Sequence, residues 1–332
     1  MNISITKQFP DIYFLPEWGK LFQEHDRGEI CVFEFKNKLG HIYYQFIKRP
    51  VPYSYLGKTY FDTVTTYGFN GPIILEFDSK TKERLLMDFD EAFQKYCVNQ
   101  CIISEYVRFN PWLKNHLDFE KIYLIKYNNY TLFTDLTVHD FFTDEFSCKV
   151  RNQIRKARKS GIKIEFDYMG VSINEFQRLY QKMTEKNNVS EYYLFDTAFL
   201  VNSFKTLENK QFIINALFED KYISSAIFLH YGNYIHYHLS ANDPQYYPLC
   251  ANSLILYEGC NWGLNHGKLQ MHLGGAFSEE LFRFKRKFTK NGICDYYIGK
   301  KIRNLEIYNE LVKIKLQNDA IINKDYFPLY RG

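Results

Sequence analysis

No stretch of about 18 uncharged apolar residues, the length that a membrane-crossing helix needs, occurs in this chain. The opening MNISITKQFPDIYFLPEW also lacks an apolar core of signal-peptide length. The expected location is therefore the cytoplasm, with the inner face of the membrane open to it as a peripheral site. Paired metal ligands are scarce too. Of the seven cysteines only Cys97 and Cys101 are near neighbours, and no second close pair completes a zinc set. An odd, scattered set of thiols implies a reducing compartment and no metal. Net charge is small, +4 over 332 residues, which excludes a general nucleic-acid coat and leaves any anionic partner to a local patch. Aromatics, by contrast, are abundant: 28 Tyr, 30 Phe and 3 Trp make 18% of the chain, against 24% charged residues. Disordered chains show the reverse balance, so this one folds, and its length allows two average domains or one large one.

The first 140 residues read mainly as strands. Aromatic and β-branched runs at 31–38 and 41–48 flank Leu39-Gly40, a hairpin signal. The stretch FDTVTTYGFNGPIILEF (61–77) holds two strand-like runs separated by Tyr67-Gly68 and Gly71-Pro72, where glycine permits close backbone approach. A helix is expected over 90–98, with Phe93, Tyr96 and Cys97 on one face, followed by strands at 102–109, 121–127 and 130–136.

One segment differs from all others. From Cys148 to Lys163 the chain carries Lys149, Arg151, Arg155, Lys156, Arg158, Lys159 and Lys163 with no acidic residue. Val150, Ile154 and Ala157 recur at helical spacing on one face, Arg151, Arg155 and Arg158 on another, and Gly161 suits a helix end. Solvated faces usually mix signs, because like charges at i,i+4 repel. An unmixed face points to an anion, with phosphate the obvious ligand and a plain solvated surface the competing reading. Further on, a helix at 172–186 precedes strands at 212–218, 222–231 and 234–241, the last two joined by Gly232-Asn233, which predicts an antiparallel meander. A helix at 251–265, a strand at 268–273 ending in Gly274-Gly275, and a strand at 293–298 complete the order. That order matches the GNAT acyltransferase fold.

More specific are the words YIHYHLSA (234–241), ANSLILYEGCNWGLNHG (251–267), KLQMHLGGA (268–276) and LFRFKRKF (281–288), together with VRNQIRKARKSGIKI (150–164), YGFNGP (67–72) and SEYVRFNPWL (104–113). In this order they resemble the FemAB-like transferases over residues 30 to 300. The resemblance implies an α+β fold of two tandem GNAT-like domains, each a mixed, mainly antiparallel sheet flanked by helices. The expected divisions are 1–145, 146–320 and a tail, 321–332. Some members insert a coiled-coil arm in the second half; Gly161 to Ile213 is too short for one, so the chain is similar to the compact type. It departs from the family at MTEKNNVSEYYLF (183–195), which lacks the arginine that many members place there.

Such proteins transfer an aminoacyl group from aminoacyl-tRNA to an amine of a peptidoglycan precursor, and that is the activity the resemblance implies, with a nucleotide- or lipid-linked cell-envelope precursor as acceptor. No tightly bound cofactor is expected. An acyl-CoA-dependent N-acetyltransferase acting on an amino sugar is the second enzymatic reading, and a non-catalytic RNA- or glycan-binding module the third. Acetyl-CoA enzymes cradle pyrophosphate in an R/Q-x-x-G-x-G/A loop at a helix start. This chain has no such loop, which favours aminoacyl-tRNA as donor, with Arg151, Arg155, Arg158 and Lys159 as its phosphate contacts. Aminolysis needs a stabiliser for the oxyanion of the tetrahedral intermediate. Lys285 of the FK word is the expected catalytic residue, with Phe284 and Phe288 desolvating it and Lys287 as its nearest rival. Tyr67, Tyr237, Ser240, Asn252, Gly274, Gly275 and Phe284 are the expected substrate contacts. No carboxylate declares itself as base: Asp62, Glu191 and Asp243 lie in promising words, but each is more often a turn or capping residue. His236 and His238 share a strand face by the period of two and read as packing or acceptor contacts.

Overall fold

The computed structural model describes residues 9–187, 191–276, 278–318 and 322–332. In chain order the elements begin with α1 (Pro16–Phe22), β1 (Glu29–Asn37), β2 (Gly40–Tyr55), β3 (Lys58–Val64), β4 (Ile73–Phe77), α2 (Lys82–Asn99) and β5 (Ile102–Arg108). β6 (Leu124–Asp135), α3 (Phe141–Asp144), α4 (Cys148–Lys159), β7 (Lys163–Asp167), α5 (Ile173–Asn187) and α6 (Thr197–Leu207) follow. The chain then forms β8 (Gln211–Phe218), β9 (Lys221–Tyr231), β10 (Tyr234–Asn242), α7 (Ala251–Asn265), β11 (Gln270–Gly275), α8 (Glu279–Lys285), β12 (Ile293–Ile302) and α9 (Leu305–Asn318).

Two compact units result, the first made of 13–128 and 295–332, the second of 129–294 with the described part of 1–12. The division expected at 145, and with it the domain 146–320 and the separate tail 321–332, is displaced. Asn128 and Asn129 lie inside one continuous strand, so the chain does not turn there. The two strands expected at 121–127 and 130–136 are therefore the single strand β6. After 294 the chain returns to the first unit, where β12 pairs antiparallel with β5. The described part of the tail is held there as well: Tyr330 is fully buried in a cluster with Val51, Ile103, Tyr308 and Leu311.

In the first unit the strand order is β1-β2-β3-β5-β12, with β4 also on β2. All its pairs are antiparallel except β3 with β5, which is parallel and joined through α2. A parallel pair requires such a crossover. Leu85, Phe89, Phe93 and Cys97 form the buried stripe of α2, at the i,i+4 spacing of one helix face. The helix starts at Lys82 rather than at 90, because its first two turns are mostly charged and carry only part of that stripe. The ring of Phe93 stacks on Phe89 and Tyr96 and meets Phe33, Tyr44 and Phe46, so much of the aromatic excess is core. Asp62 belongs to this core too. It accepts hydrogen bonds from Arg49 at 3.0 Å, from Tyr330 at 3.2 Å and from Arg331, which fixes it as a structural counter-ion.

In the second unit the order is β6-β11-β10-β9-β8-β7. β8, β9 and β10 form the expected meander, and α7 spans the residues expected of it. α7 is the crossover between β10 and β11, the parallel pair of this unit. Its glycine at 259 lets the helix approach Phe228, whose ring a Cβ would meet at 2.4 Å. Each unit thus repeats one plan, a mainly antiparallel sheet with one parallel, helix-bridged pair.

Candidate active site

The parallel pair β10–β11 is only three rungs long, ending at His236 opposite His272. Beyond that rung each strand bulges on its outer side, β10 against β9 between Tyr237 and Leu239, β11 against β6 between His272 and Gly274. A bulge bends its strand and increases the local twist. Two bulges at the same level turn the strands apart, and their facing edges no longer pair with each other. Gly274 meets the bend with φ +76°, a conformation that favours glycine.

Lys285 reaches into this opening. It ends α8, whose first turn is capped by Ser278 through the N–H of Leu281. The ammonium donates to the carbonyl oxygen of Gly275 at 2.7 Å and lies 3.4 Å from where a Cβ on Gly274 would sit. Lys285 is only 8% exposed, and burial pushes its pKa down to about 7. Phe284 is half-buried and packs edge-on against Phe288, with ring centres 5.3 Å apart; Phe288 is fully buried. The rival Lys287 is held through its backbone, its carbonyl accepting from the N–H of Ser147 at 2.8 Å.

Tyr237 and Asn252 come together across β10 and the start of α7, the phenol donating to Asn252 Oδ1 at 2.9 Å. Burial pushes the Tyr237 hydroxyl up to about 12, against the opposing pull of Ser240 and Asn252. Tyr237, Ser240, Asn252, Gly274, Gly275, Phe284 and Lys285 thus all lie in the second unit, Tyr237 in contact with Asn252, and Lys285 in contact with Gly275 beside Gly274. Tyr67 is not among them. It lies in the first unit, stacked on Phe22 at 4.9 Å, with its carbonyl accepting from Trp18 Nε1 at 2.7 Å. The bulge at His238 interrupts the alternation on which a His236/His238 face depends; His236 instead lies 3.1 Å from Asp11. Asp243 accepts from Lys182 at 2.9 Å and caps the turn after β10. Glu191 opens a short helical turn, and residues 188–190 of the segment without arginine lie outside the described residues.

α4 buries Val150, Ile154 and Ala157 as its spacing predicts, and Ser147 caps its start. It begins beside the FKRKF segment, through the Ser147–Lys287 contact, and passes α7 where Gln153 meets Ser253 at 3.3 Å. Its cations are not equivalent. Arg151 donates to the carbonyls of Thr143 and Phe146, and Arg158 pairs with Glu258 at 3.1 Å over the ring of Tyr257. Arg155 donates to Asn152 and lies over Phe142, while Lys149, Lys156 and Lys159 are exposed. Sequence spacing does not reveal which arginines are already engaged, because the partner of Arg158 lies 100 residues away and those of Arg151 are backbone carbonyls.

No family profile and no curated protein sequence matches the chain. Solved structures do. FemX superposes with a TM-score of 0.70 at 14% identity, covering 92% of this chain and 96% of that one. The C-terminal domain of a protein described as a lysylphosphatidylglycerol synthetase, from Agrobacterium fabrum, gives 0.54 at 14% identity, over 88% and 91%. L-PGS from Bacillus licheniformis gives 0.52 at 14% identity, over 93% and 98%. No helix among the described residues is long and apolar enough to cross a membrane. The architecture of this chain, two sheet units with one helix-bridged parallel pair in each, is therefore the fold that FemX also has.

Proposed function

We propose that the chain is an N-acyltransferase of FemAB-like type. The observation that carries this reading is the buried ammonium of Lys285, held on Gly275 where β10 and β11 part, within a fold shared with FemX. An amine attacks the carbonyl carbon of an activated ester, the C–O bond to the leaving oxygen breaks, and the proton lost by the amine ends on that oxygen. Lys285 faces the negative charge that develops on the carbonyl oxygen. In a water-poor site such a charge counts for far more than in bulk solvent. Aminoacyl-tRNA is the favoured donor, supported by the exposed cations of α4 and the missing pyrophosphate loop. The acceptor is an amine of a peptidoglycan or other cell-envelope precursor.

The test is incubation with labelled aminoacyl-tRNA pools or acetyl-CoA, each with muropeptide and nucleotide-sugar precursors. Transfer from aminoacyl-tRNA is the expected result. Transfer from acetyl-CoA alone would assign an amino-sugar acetyltransferase instead, and no transfer from any donor a binding module. Arg155→Glu with Lys159→Glu should weaken donor binding at least tenfold at low salt, with a shallower salt dependence, because fewer phosphates are neutralised. A loss of the same size at every salt concentration would point to damaged folding. Reversal at Arg158 is less informative, since it would also set two glutamates side by side at Glu258.

Charge on Lys285 also gives a pH dependence. As an ammonium it supports transfer below about 7, and kcat/KM should decline as pH rises through that value. Stability should move the other way. An unfolded lysine titrates near ~10.4, so between the two values the unfolded chain binds more protons and the burial cost of Lys285 eases as pH rises. A kcat/KM limb unaltered in Lys285→Arg would assign the titration to another group.

A further inference from the structure

The hairpin between β2 and β3, in the first unit, breaks a local rule. Tyr55 pairs with Lys58, so the turn consists of Leu56 and Gly57 alone, and both take a positive φ, +51° and +69°. That is the pattern of a type I′ turn, for which Asn-Gly or Asp-Gly is the ordinary choice. Of the eight non-glycine residues with positive φ among the described residues, Leu56 is the only aliphatic one. Leucine is unfavourable here on two counts. Its Cβ crowds a carbonyl in the left-handed region, and its side chain is 77% exposed to water. Nothing lies within 4 Å of the position that a Cβ on Gly57 would take, so the turn stands clear of its surroundings. A residue that suits neither its backbone nor its solvent points to a role outside the fold.

Below the tip the hairpin is amphipathic. Tyr53, Tyr55 and Tyr60 are half-buried, packed against the cluster of Val51, Ile103, Tyr308 and Leu311. From Arg49 to Phe61 there is no acidic residue, and Lys58, which follows the turn, is exposed. α9 lies against β2 and adds Lys313, within electrostatic reach of Tyr55, and Leu316 one turn further on, 54% exposed. Glu310 on that helix is already paired with Lys313 at 2.6 Å. An aliphatic tip, then tyrosines, then lysine is the layering of a segment seated at a bilayer surface, where aromatic rings occupy the headgroup level and lysine meets anionic lipid. A two-residue tip offers far less than the roughly 800 Å² per partner that a stable protein interface buries.

We propose that the β2–β3 hairpin is a membrane-docking element: Leu56 enters the acyl boundary of an anionic bilayer, the three tyrosines lie at the headgroup level, and Lys58 meets the lipid phosphates. Such an anchor is weak and reversible, since one leucine buries less apolar surface than a single acyl chain. It goes beyond the transfer reading above and does not depend on it.

Sedimentation of the full chain with vesicles of phosphatidylcholine and phosphatidylglycerol in equal parts, and with phosphatidylcholine alone, tests it without donor or acceptor. The parent should bind the anionic vesicles, and less so as salt rises. Leu56→Asn should lower that binding about tenfold, the size expected from one buried leucine side chain. It should also melt no lower than the parent, because asparagine suits the turn. Lys58→Glu should lower binding to the anionic vesicles about tenfold and change it little on phosphatidylcholine alone. Lost binding with unimpaired melting separates docking from damaged folding. A parent that stays in the supernatant at low salt, or a Leu56→Asn variant that sediments as the parent does, overturns the proposal. So does a dimer of the parent that Leu56→Asn dissociates with no effect on vesicles, which would make the tip a contact between copies.

Discussion

Lys285→Met is expected to lower turnover about 100- to 1,000-fold, the usual consequence of removing one preorganised stabiliser of an oxyanion. Melting should change by only a few degrees. Methionine fills a similar volume without a charge that must be desolvated, so the variant loses one hydrogen bond to Gly275 but also the cost of a buried ammonium. That separation of activity from stability is the signature to seek. Steady-state kinetics beside a thermal melt measure both, and a variant as active as the parent would sink the assigned role. Lys285→Arg should not rescue activity, because a planar fork cannot replace a compact point charge in a space bounded by Gly274 and Gly275.

The second large effect concerns the first unit. Arg303 is buried, donating from Nε to Glu105 and from Nη1 to Asp90 at 2.6 Å. Glu105 is fully buried and also accepts from Tyr123 at 3.1 Å. Burial raises the Asp90 carboxyl, but Arg303 and Lys301 outweigh it and hold the group below its ordinary value. Arg303→Met should cost about 3–5 kcal/mol, because it leaves a carboxylate inside the unit without its cation. Arg303→Met with Glu105→Met should recover most of that loss, since replacing both partners by apolar groups removes the unpaired charge. Urea denaturation of the three proteins decides it. Equal stability of single and double variants would show that the pair is not what holds the strands. Acid should weaken the same cluster: the contribution of Asp90 is present above the unfolded carboxylate value and is lost as pH falls through its lowered folded one.

The second unit was more legible in the sequence than the first. Gly232 marks the turn between β9 and β10, and Gly274 marks the bend in β11, so the meander, α7 and the end of β11 follow from local chemistry. α4 was equally plain, because its apolar spacing survives among so many cations. By contrast, α9 spans Leu305–Asn318 with little to announce it; only Tyr308 and Leu311 are buried, and their partners Val51 and Ile103 lie far back in the chain. The domain boundary failed for the same reason, since a return of the chain at 295 leaves no compositional mark. Within the site, Lys285 and the paired glycines could be found as words. The contact of Asp11 with His236, elsewhere in the same unit, could not: the two are 225 residues apart, and only tertiary packing brings them together.

The split first unit also has a consequence for how the protein is made. Residues 13–128 leave the ribosome early, yet β12, α9 and the arginine that meets Asp62 come only with the last part of the chain. The second unit, whose sheet is continuous in sequence from β6 to β11, can close before residues 295–332 emerge. Domains generally fold as they emerge, N-terminal first. This chain reverses that order, so residues 13–128 must wait for 295–332, and nascent chains stalled before 295 should hold a folded second unit while the first stays unfinished.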